Sequence, residues 1–392
     1  MASGRRGVVA MIGATQIVAW GSSYYLPAVL ARPTAAATGW PLPWVVGGLS
    51  LGLLVAGLAS PRIGRVIEQH GGRPVLAASA GLLAAGLVAL GLSPNLPCYL
   101  AAWLVIGLGM GCGLYDAAFA TLGRMYGETA RGAISLVTLI AGFTNTVAWP
   151  FSSLLLSQFG WRGTCFAYAA LDVAAVLPAY LLVLPRGVPP PVTVAAASDA
   201  ACAPRGGVAV FAVLAAVNTL GTMISAALSV HVLTLLTARG LAQATAVAYG
   251  ASLGPAQVGA RLVEVATARN HHPIWTMLAW TGLVAVGTVA LWAWPFALPV
   301  ALACYGGGIG IGSIARGTVP LALFGPGGYA VRMGKLALPA LLAQAAAPVL
   351  FALLLERVGA NATLAVLACV AVTDLALAVA LFVLTRKLRR RS

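Results

Sequence analysis

Apolar residues in this chain come in long unbroken runs, parted by short polar breaks, with no alternation of polar and apolar positions. Crossing about 30 Å of hydrocarbon at about 1.5 Å rise per residue takes roughly 20 mostly apolar residues in a helix. Twelve runs meet that length: 7–31, 42–60, 74–92, 97–122, 132–157, 163–184, 207–236, 241–262, 273–293, 297–319, 334–355 and 362–385. Each is about twice the length of a barrel strand and lacks its two-residue period, so the pattern predicts helices and excludes an outer-membrane barrel. The first run is too long, and too rich in Gln16, Trp20, Tyr24 and Tyr25, for a cleaved leader, and is expected to be retained as helix 1.

Composition sharpens this to an all-α polytopic membrane protein. Of 392 residues 60% are hydrophobic and only 8% charged, where a water-facing globular chain carries about a quarter charged residues. A soluble enzyme is excluded. The net charge of +15 invites a nucleic-acid reading until the charges are placed. With the amino terminus inside, nineteen of the 23 Lys and Arg fall in cytoplasmic segments and four, Arg32, Arg162, Arg239 and Arg357, on the other side. That asymmetry is the positive-inside rule for twelve helices with both termini cytoplasmic, so the expected environment is a lipid bilayer, the inner membrane, with no nucleic-acid partner.

One long break, 185–206, interrupts the series with Pro185, Pro189, Pro190, Pro191 and Pro204 and an Ala/Ser stretch that cannot form a core. It predicts an N-terminal six-helix bundle over 1–184, a cytoplasmic linker over 185–206, and a C-terminal six-helix bundle with a basic tail over 207–392. Landmarks recur across it. Pro61, Gly64 and Glu68 match Pro255, Gly259 and Glu264, and Pro150 matches Pro348, at offsets of 194 to 198 residues. The glycine run Gly107, Gly109, Gly111, Gly113 leads to Asp116, and Gly308, Gly310, Gly312 leads to Arg316. Duplicated halves of this kind are typical of secondary transporters.

After helix 2 the chain reads Gly64-Arg65-Val66-Ile67-Glu68-Gln69-His70-Gly71-Gly72-Arg73. This resembles the signature loop of the major facilitator superfamily, with Gly64, Glu68, Gly71 and Arg73 in register. It departs twice: Gln69 stands where a base usually follows the acid, and Gly72 where one usually follows the second glycine. Gly142 with Pro150 in helix 5 is similar to the superfamily's antiporter motif without its full glycine spacing, which hints at efflux. The resemblance implies two pseudosymmetric six-helix bundles, the major facilitator fold, around a cavity lined mainly by helices 1, 4, 7 and 10 that opens alternately to each side. It also implies a gating role for the loop acid, through a pair with a base or with helix amino-terminal groups in one conformation only. Residues 254–258 and 316–320 resemble a branch that includes arsenite-efflux members.

Among candidate functional residues Asp116 is the most informative, since an ionisable group inside an apolar helix costs about 2.5–3.5 kcal/mol unless paired or facing water. Its counterpart Arg316 is a candidate charge partner or, through its planar fork of donors, a holder of an anionic substrate. Gln16, Tyr24, Tyr25, Asn218 and Thr219 offer hydrogen-bonding groups for a cavity lining. Arg62, Arg65 and Arg124 read as orientation charges. Asp172 and Asp374, 202 residues apart, read as polar packing in peripheral helices. His231 reads as structural. No zinc spacing is present and no cofactor or nucleotide site is expected. Cys112 and Cys304, in the two glycine runs, are candidate thiols for a soft metalloid if they converge. The expected function is therefore a monomeric secondary transporter moving a small molecule by alternating access, proton-coupled, exporting a small anion or organic compound. Metalloid efflux is the alternative. A polytopic membrane enzyme, from another class, would need a cluster of acids and histidines at one interface, which the sequence lacks.

Overall fold

The computed structural model describes residues 2–186, 207–268 and 271–389, and every regular element among them is helical. Most of the linker, with Pro189, Pro190, Pro191, Pro204 and Arg205, lies outside the described residues, as do Arg269, Arg390 and Arg391. Grouped along the expected spans, the helices of the described residues make up twelve rods, some of them in two pieces. α1 comprises Ala2–Ser22 and Leu26–Thr38, α2 is Leu42–His70, α3 Gly72–Leu92, and α4 comprises Leu96–Gly113 and Tyr115–Tyr126. α5 starts at Ala130–Ala141 and runs on to Gly160, and α6 occupies 161–183. In the second half α7 is Gly207–Ala238, α8 comprises Gln243–Ala251 and Leu253–Thr267, α9 is Pro273–Ala293 and α10 Leu298–Phe324. Tyr329–Arg389 is two rods, α11 and α12, parted at Gly359.

Four rods expected to be continuous, α1, α4, α5 and α8, come in two pieces, and two of these breaks have a local cause. α1 stops at Ser22 and restarts at Leu26, with Pro27, lacking an N–H and restricting the residue before it, in the first turn of the new piece, the place a helix tolerates proline best. α4 stops at Gly113, the last of four alternate glycines, and Leu114 is extended (φ −77°, ψ −172°). Glycine weakens a helix interior by about 1 kcal/mol relative to alanine, so a run of them marks the place where a helix most readily parts.

Contacts divide the chain into two compact units, 1–192 with 326–345, and 193–325 with 346–392. The first thus differs from the division expected at 185–206 by one segment, the beginning of α11. Within each unit the same pairs pack: α2 and α3 against α4 in the first, α8 and α9 against α10 in the second. Glycines permit both. A methyl group on Gly86 would press on Ile106 and one on Gly109 on Leu83; their counterparts Gly287 and Gly308 are hemmed by Tyr305 and Val284. Turns repeat as well. Gly127 and Gly325, and Gly160 and Gly359, all have φ between 55° and 79°, a region that L side chains avoid, at spacings of 198 and 199 residues.

The closest approach within α2 and α4 is backbone to backbone at Gly52 and Gly107, where a Cβ on Gly107 would overlap the Gly52 carbonyl oxygen. Gly107→Ala is expected to destabilise the first unit by about 1–3 kcal/mol, the usual cost of overpacking. A lowered thermal midpoint of purified protein in detergent checks it; an unchanged midpoint would mean that the two helices separate freely.

Candidate functional site

Two groups of sequence-marked residues come together in the first unit. One is built on the break in α4. Parting the helix at Leu114 leaves the Gly113 carbonyl without its helical donor, and Gln16, fully buried on α1, donates to it from Nε2 at 2.6 Å. The Gln16 Oε1 in turn accepts from Trp20 Nε1 at 3.1 Å. Beside this bridge stands a half-buried aromatic group. Trp20 lies 5.2 Å from Tyr24, 5.9 Å from Tyr25 and 5.0 Å from Tyr115 between ring centroids. Gln16 is therefore a latch between α1 and the broken α4, with Tyr24 and Tyr25 in the aromatic wall next to it. Gln16→Ala strips a buried carbonyl of its partner, at a cost of about 1–3 kcal/mol. Its thermal midpoint should fall, and proton exchange of α4 amides around 114–117 should rise; no change in either would show that Gly113 is served otherwise.

The second group surrounds the amino end of α11. Glu68, at the end of α2, accepts a hydrogen bond from the Ala330 backbone N–H through Oε2 at 3.2 Å. Its Oε1 faces Arg124 Nη1 at 3.5 Å. The first N–H groups of a helix have no intrahelical partner and carry the positive end of its dipole, so a carboxylate from another helix is a fitting cap. Small residues let the rods come this near. A methyl group on Gly64 would overlap the Ala330 carbonyl oxygen, and one on Gly334 the Ser60 carbonyl oxygen. Tyr329, fully buried, covers Gly123 of α4. Segment 326–345 is thus clamped by α2 and α4.

Asp116 belongs to the same surroundings. It lies half-buried in the first turn of the second part of α4 and lines a narrow space with Ser60, Gly64, Ile67, Ala330 and Gly334. Asp116 thus lines the same space as Ala330, whose N–H donates to Glu68.

In the signature loop the acid meets both kinds of partner, a base and helix amino-terminal groups, and the loop's own base turns elsewhere. Arg73 points away from Glu68 and donates to the Leu181 carbonyl oxygen at 2.6 Å. The base paired with Glu68 is Arg124, which sequence reasoning had put among the orientation charges; the one hint was its place at the same membrane side. Gly72, where a base is usual, is buried on Thr121, and any side chain there would overlap the threonine. Gly71 (φ 82°) makes the turn from α2 to α3.

In the second unit Arg316 is half-buried on α10, one turn beyond Gly312. Asn218 is buried on α7, and the Thr219 hydroxyl donates to the Ala215 carbonyl of its own helix at 2.7 Å. His231 Nε2 lies 2.9 Å from the Pro348 carbonyl oxygen, a helix-to-helix tie. Glu264, the counterpart of Glu68, is buried and accepts from Thr276 Oγ1 at 2.7 Å, with His271 Nε2 at 3.4 Å. Asp172, at a π-turn in α6, is buried beside Ser22 of α1, in keeping with polar packing between helices, whereas among the described residues neither carboxylate oxygen of the buried Asp374 in α12 has a hydrogen bond.

A family model described as Major Facilitator Superfamily matches residues 9–327. The chain belongs to this superfamily. Among solved structures, the superfamily transporter FucP in the outward conformation superposes with a TM-score of 0.75 at 13% identity, covering 94% of this chain and 97% of that one. The human organic anion transporter MFSD10 (TETRAN) does so with a TM-score of 0.74 at 17% identity, covering 95% and 99%. At these identities the likeness shows the fold: an all-α, multi-pass major facilitator architecture. Monocarboxylate transporter 9 of Rattus norvegicus is 30% identical over 127 residues, 32% of this chain and 24% of the relative. The curated relatives are matched over 24 to 37% of their own lengths. Membership in this superfamily indicates a transporter rather than an enzyme.

Proposed function

We propose that this superfamily member is a proton-coupled carrier of a small organic anion, working by alternating access and exporting its substrate across the inner membrane with both termini cytoplasmic. The observation that carries the reading is the clamp on α11. Residues 326–345 pack with α2 and α4, yet are continuous in sequence at both ends with residues of the second unit. Glu68 and the paired glycines hold them there by contacts that one conformation makes and another breaks, which is what a cytoplasmic gate requires. Asp116, which lines the same space as Ala330, is the coupling acid. Arg316, beyond the glycine run of α10, is the group for the anion, since a guanidinium offers a carboxylate two parallel donors. Gln16, Tyr24 and Tyr25 set the wall of the substrate path. The partial match to a monocarboxylate transporter and the fold shared with an organic anion transporter favour that substrate class.

The test begins with a thermal-shift screen of purified protein against monocarboxylates, larger organic anions, oxyanions and metalloids, because a ligand of the folded form raises its melting temperature. Hits are then taken to proteoliposomes under an imposed pH gradient. Gradient-driven flux of an organic anion, lost in Arg316→Ala, supports the proposal; flux indifferent to the gradient ends the coupling claim. Metalloid efflux is the second reading, on the half-exposed thiols Cys112 and Cys304 in the two glycine runs. It predicts that a Cys112→Ser, Cys304→Ser double variant loses metalloid resistance.

A further inference from the structure

On the same side of the first unit as the signature loop, a cavity of about 340 Å³ opens among the ends of α2, α3, α4 and α6. Arg73, Arg124 and Arg186 line it together with His70, and among the described residues no carboxylate does. Two of the guanidinium groups are held rigidly in its wall. The Arg124 side chain is only 7% exposed, and its Nε, like that of Arg73, is buried with no hydrogen-bond partner. Arg73 Nη2 is held by the Leu181 carbonyl and Arg124 Nη1 faces Glu68 at 3.5 Å, so both guanidinium groups are fixed in place at the cavity wall. The wall also holds the first residues of α3, a 21-residue helix whose amino end has no side-chain cap. Three guanidinium groups converging on one cavity with a helix amino terminus in its wall are together a site for an anion with several oxygens.

The rim shows what else that anion carries. Leu181, Leu182 and Val183, the last turn of α6, are 40%, 78% and 41% exposed beside the cavity. A free inorganic anion has no use for this apolar lip, whereas a lipid places acyl chains along it. We propose that the cavity binds the phosphate headgroup of an anionic phospholipid from the cytoplasmic leaflet, the phosphate oxygens on Arg73, Arg124 and Arg186 and the chains along Leu182 and Val183. Basic pockets at the cytoplasmic ends of spanning helices are suited to such headgroups.

The full chain, delipidated in detergent, is tested by native mass spectrometry and thermal shift with phosphatidylglycerol, phosphatidylethanolamine and inorganic phosphate. Arg186, exposed at the rim, is the residue to reverse. The parent should retain phosphatidylglycerol over phosphatidylethanolamine at least fivefold. Arg186→Glu should lose that preference with an unchanged melting temperature in lipid-free detergent, and Leu182→Asn should weaken retention of phosphatidylglycerol. Equal retention of the two lipids by the parent, or an Arg186→Glu variant that binds phosphatidylglycerol as the parent does, overturns the proposal. Inorganic phosphate at low millimolar concentration giving the same protection as the lipid would assign the cavity to a free anion and overturn the lipid assignment.

Discussion

In Gly64→Val, the backbone amides of 326–345 should exchange with deuterium at least tenfold faster than in the parent, and transport should fall to background. A side chain at position 64 meets the Ala330 carbonyl oxygen, which is backbone and cannot turn aside. The start of α11 must then lift from α2. Overpacking costs about 1–3 kcal/mol, and about 1.4 kcal/mol is tenfold in an equilibrium, so the clamped form should lose one to two orders of magnitude in population. Lifting α11 also takes the Ala330 N–H away from Glu68, so the charge-assisted bond is lost with the packing. Glu68→Gln is the milder companion. It keeps an acceptor for Ala330 but loses the charge that faces Arg124 and the helix end, so exchange should rise less. A carrier held in one of its two states cannot cycle, which is why flux falls although the protein still inserts. Parent-like exchange of 326–345 in Gly64→Val would show that this segment is held by something other than its approach to α2.

Much of the architecture could be read from hydropathy, because every span must satisfy its backbone internally and so announces itself as a long apolar run. The duplication was equally legible in Pro61 and Pro255, or Pro150 and Pro348. The matched left-handed turns at Gly127 and Gly325, and at Gly160 and Gly359, carry the same offset but were invisible as turns, since their meaning lies in φ. The breaks in α1 and α4 were missed for a related reason. Ser22 to Tyr25 and Gly113 to Leu114 hold no charge and sit inside long apolar runs, so they pass as helix, and only the bond from Gln16 to the freed Gly113 carbonyl shows why the break in α4 is tolerated. Of the site, Glu68 and its loop were legible through spacing. Its partner was not. Arg124 lies 56 residues away in sequence, and nothing along the chain tells a topology charge from a paired one. Nor did spacing show that 326–345 packs with the first unit, since that depends on two glycines, Gly64 and Gly334, meeting face to face.

Asp116→Asn should abolish accumulation driven by a pH gradient, by about two orders of magnitude, while substrate counterflow between equal pH compartments persists. The reasoning starts from position. Asp116 lines the same space as Ala330, whose N–H donates to Glu68, at the amino end of α11, where negative charge is favoured by roughly 0.3–1 kcal/mol for each acid at an exposed helix terminus and by up to about 2 kcal/mol when partly buried. In the proposed coupling role, ionised Asp116 would tighten the clamp and protonated Asp116 would loosen it. A proton taken up by Asp116 is then a bias toward release of α11, and the proton is linked to the conformational step rather than to substrate binding alone. Asparagine fixes the neutral condition. It keeps the shape and hydrogen-bonding capacity of the side chain, so the carrier still cycles and exchanges substrate, but no proton is counted. Two measurements separate this from a folding defect. In the parent, exchange of 326–345, corrected for the intrinsic chemical rate, should be faster at acidic than at neutral pH; in Asp116→Asn that difference should vanish at the faster rate. Undiminished accumulation by the variant would dismiss Asp116 as the coupling acid, and loss of counterflow along with accumulation would mean that it positions α4 instead.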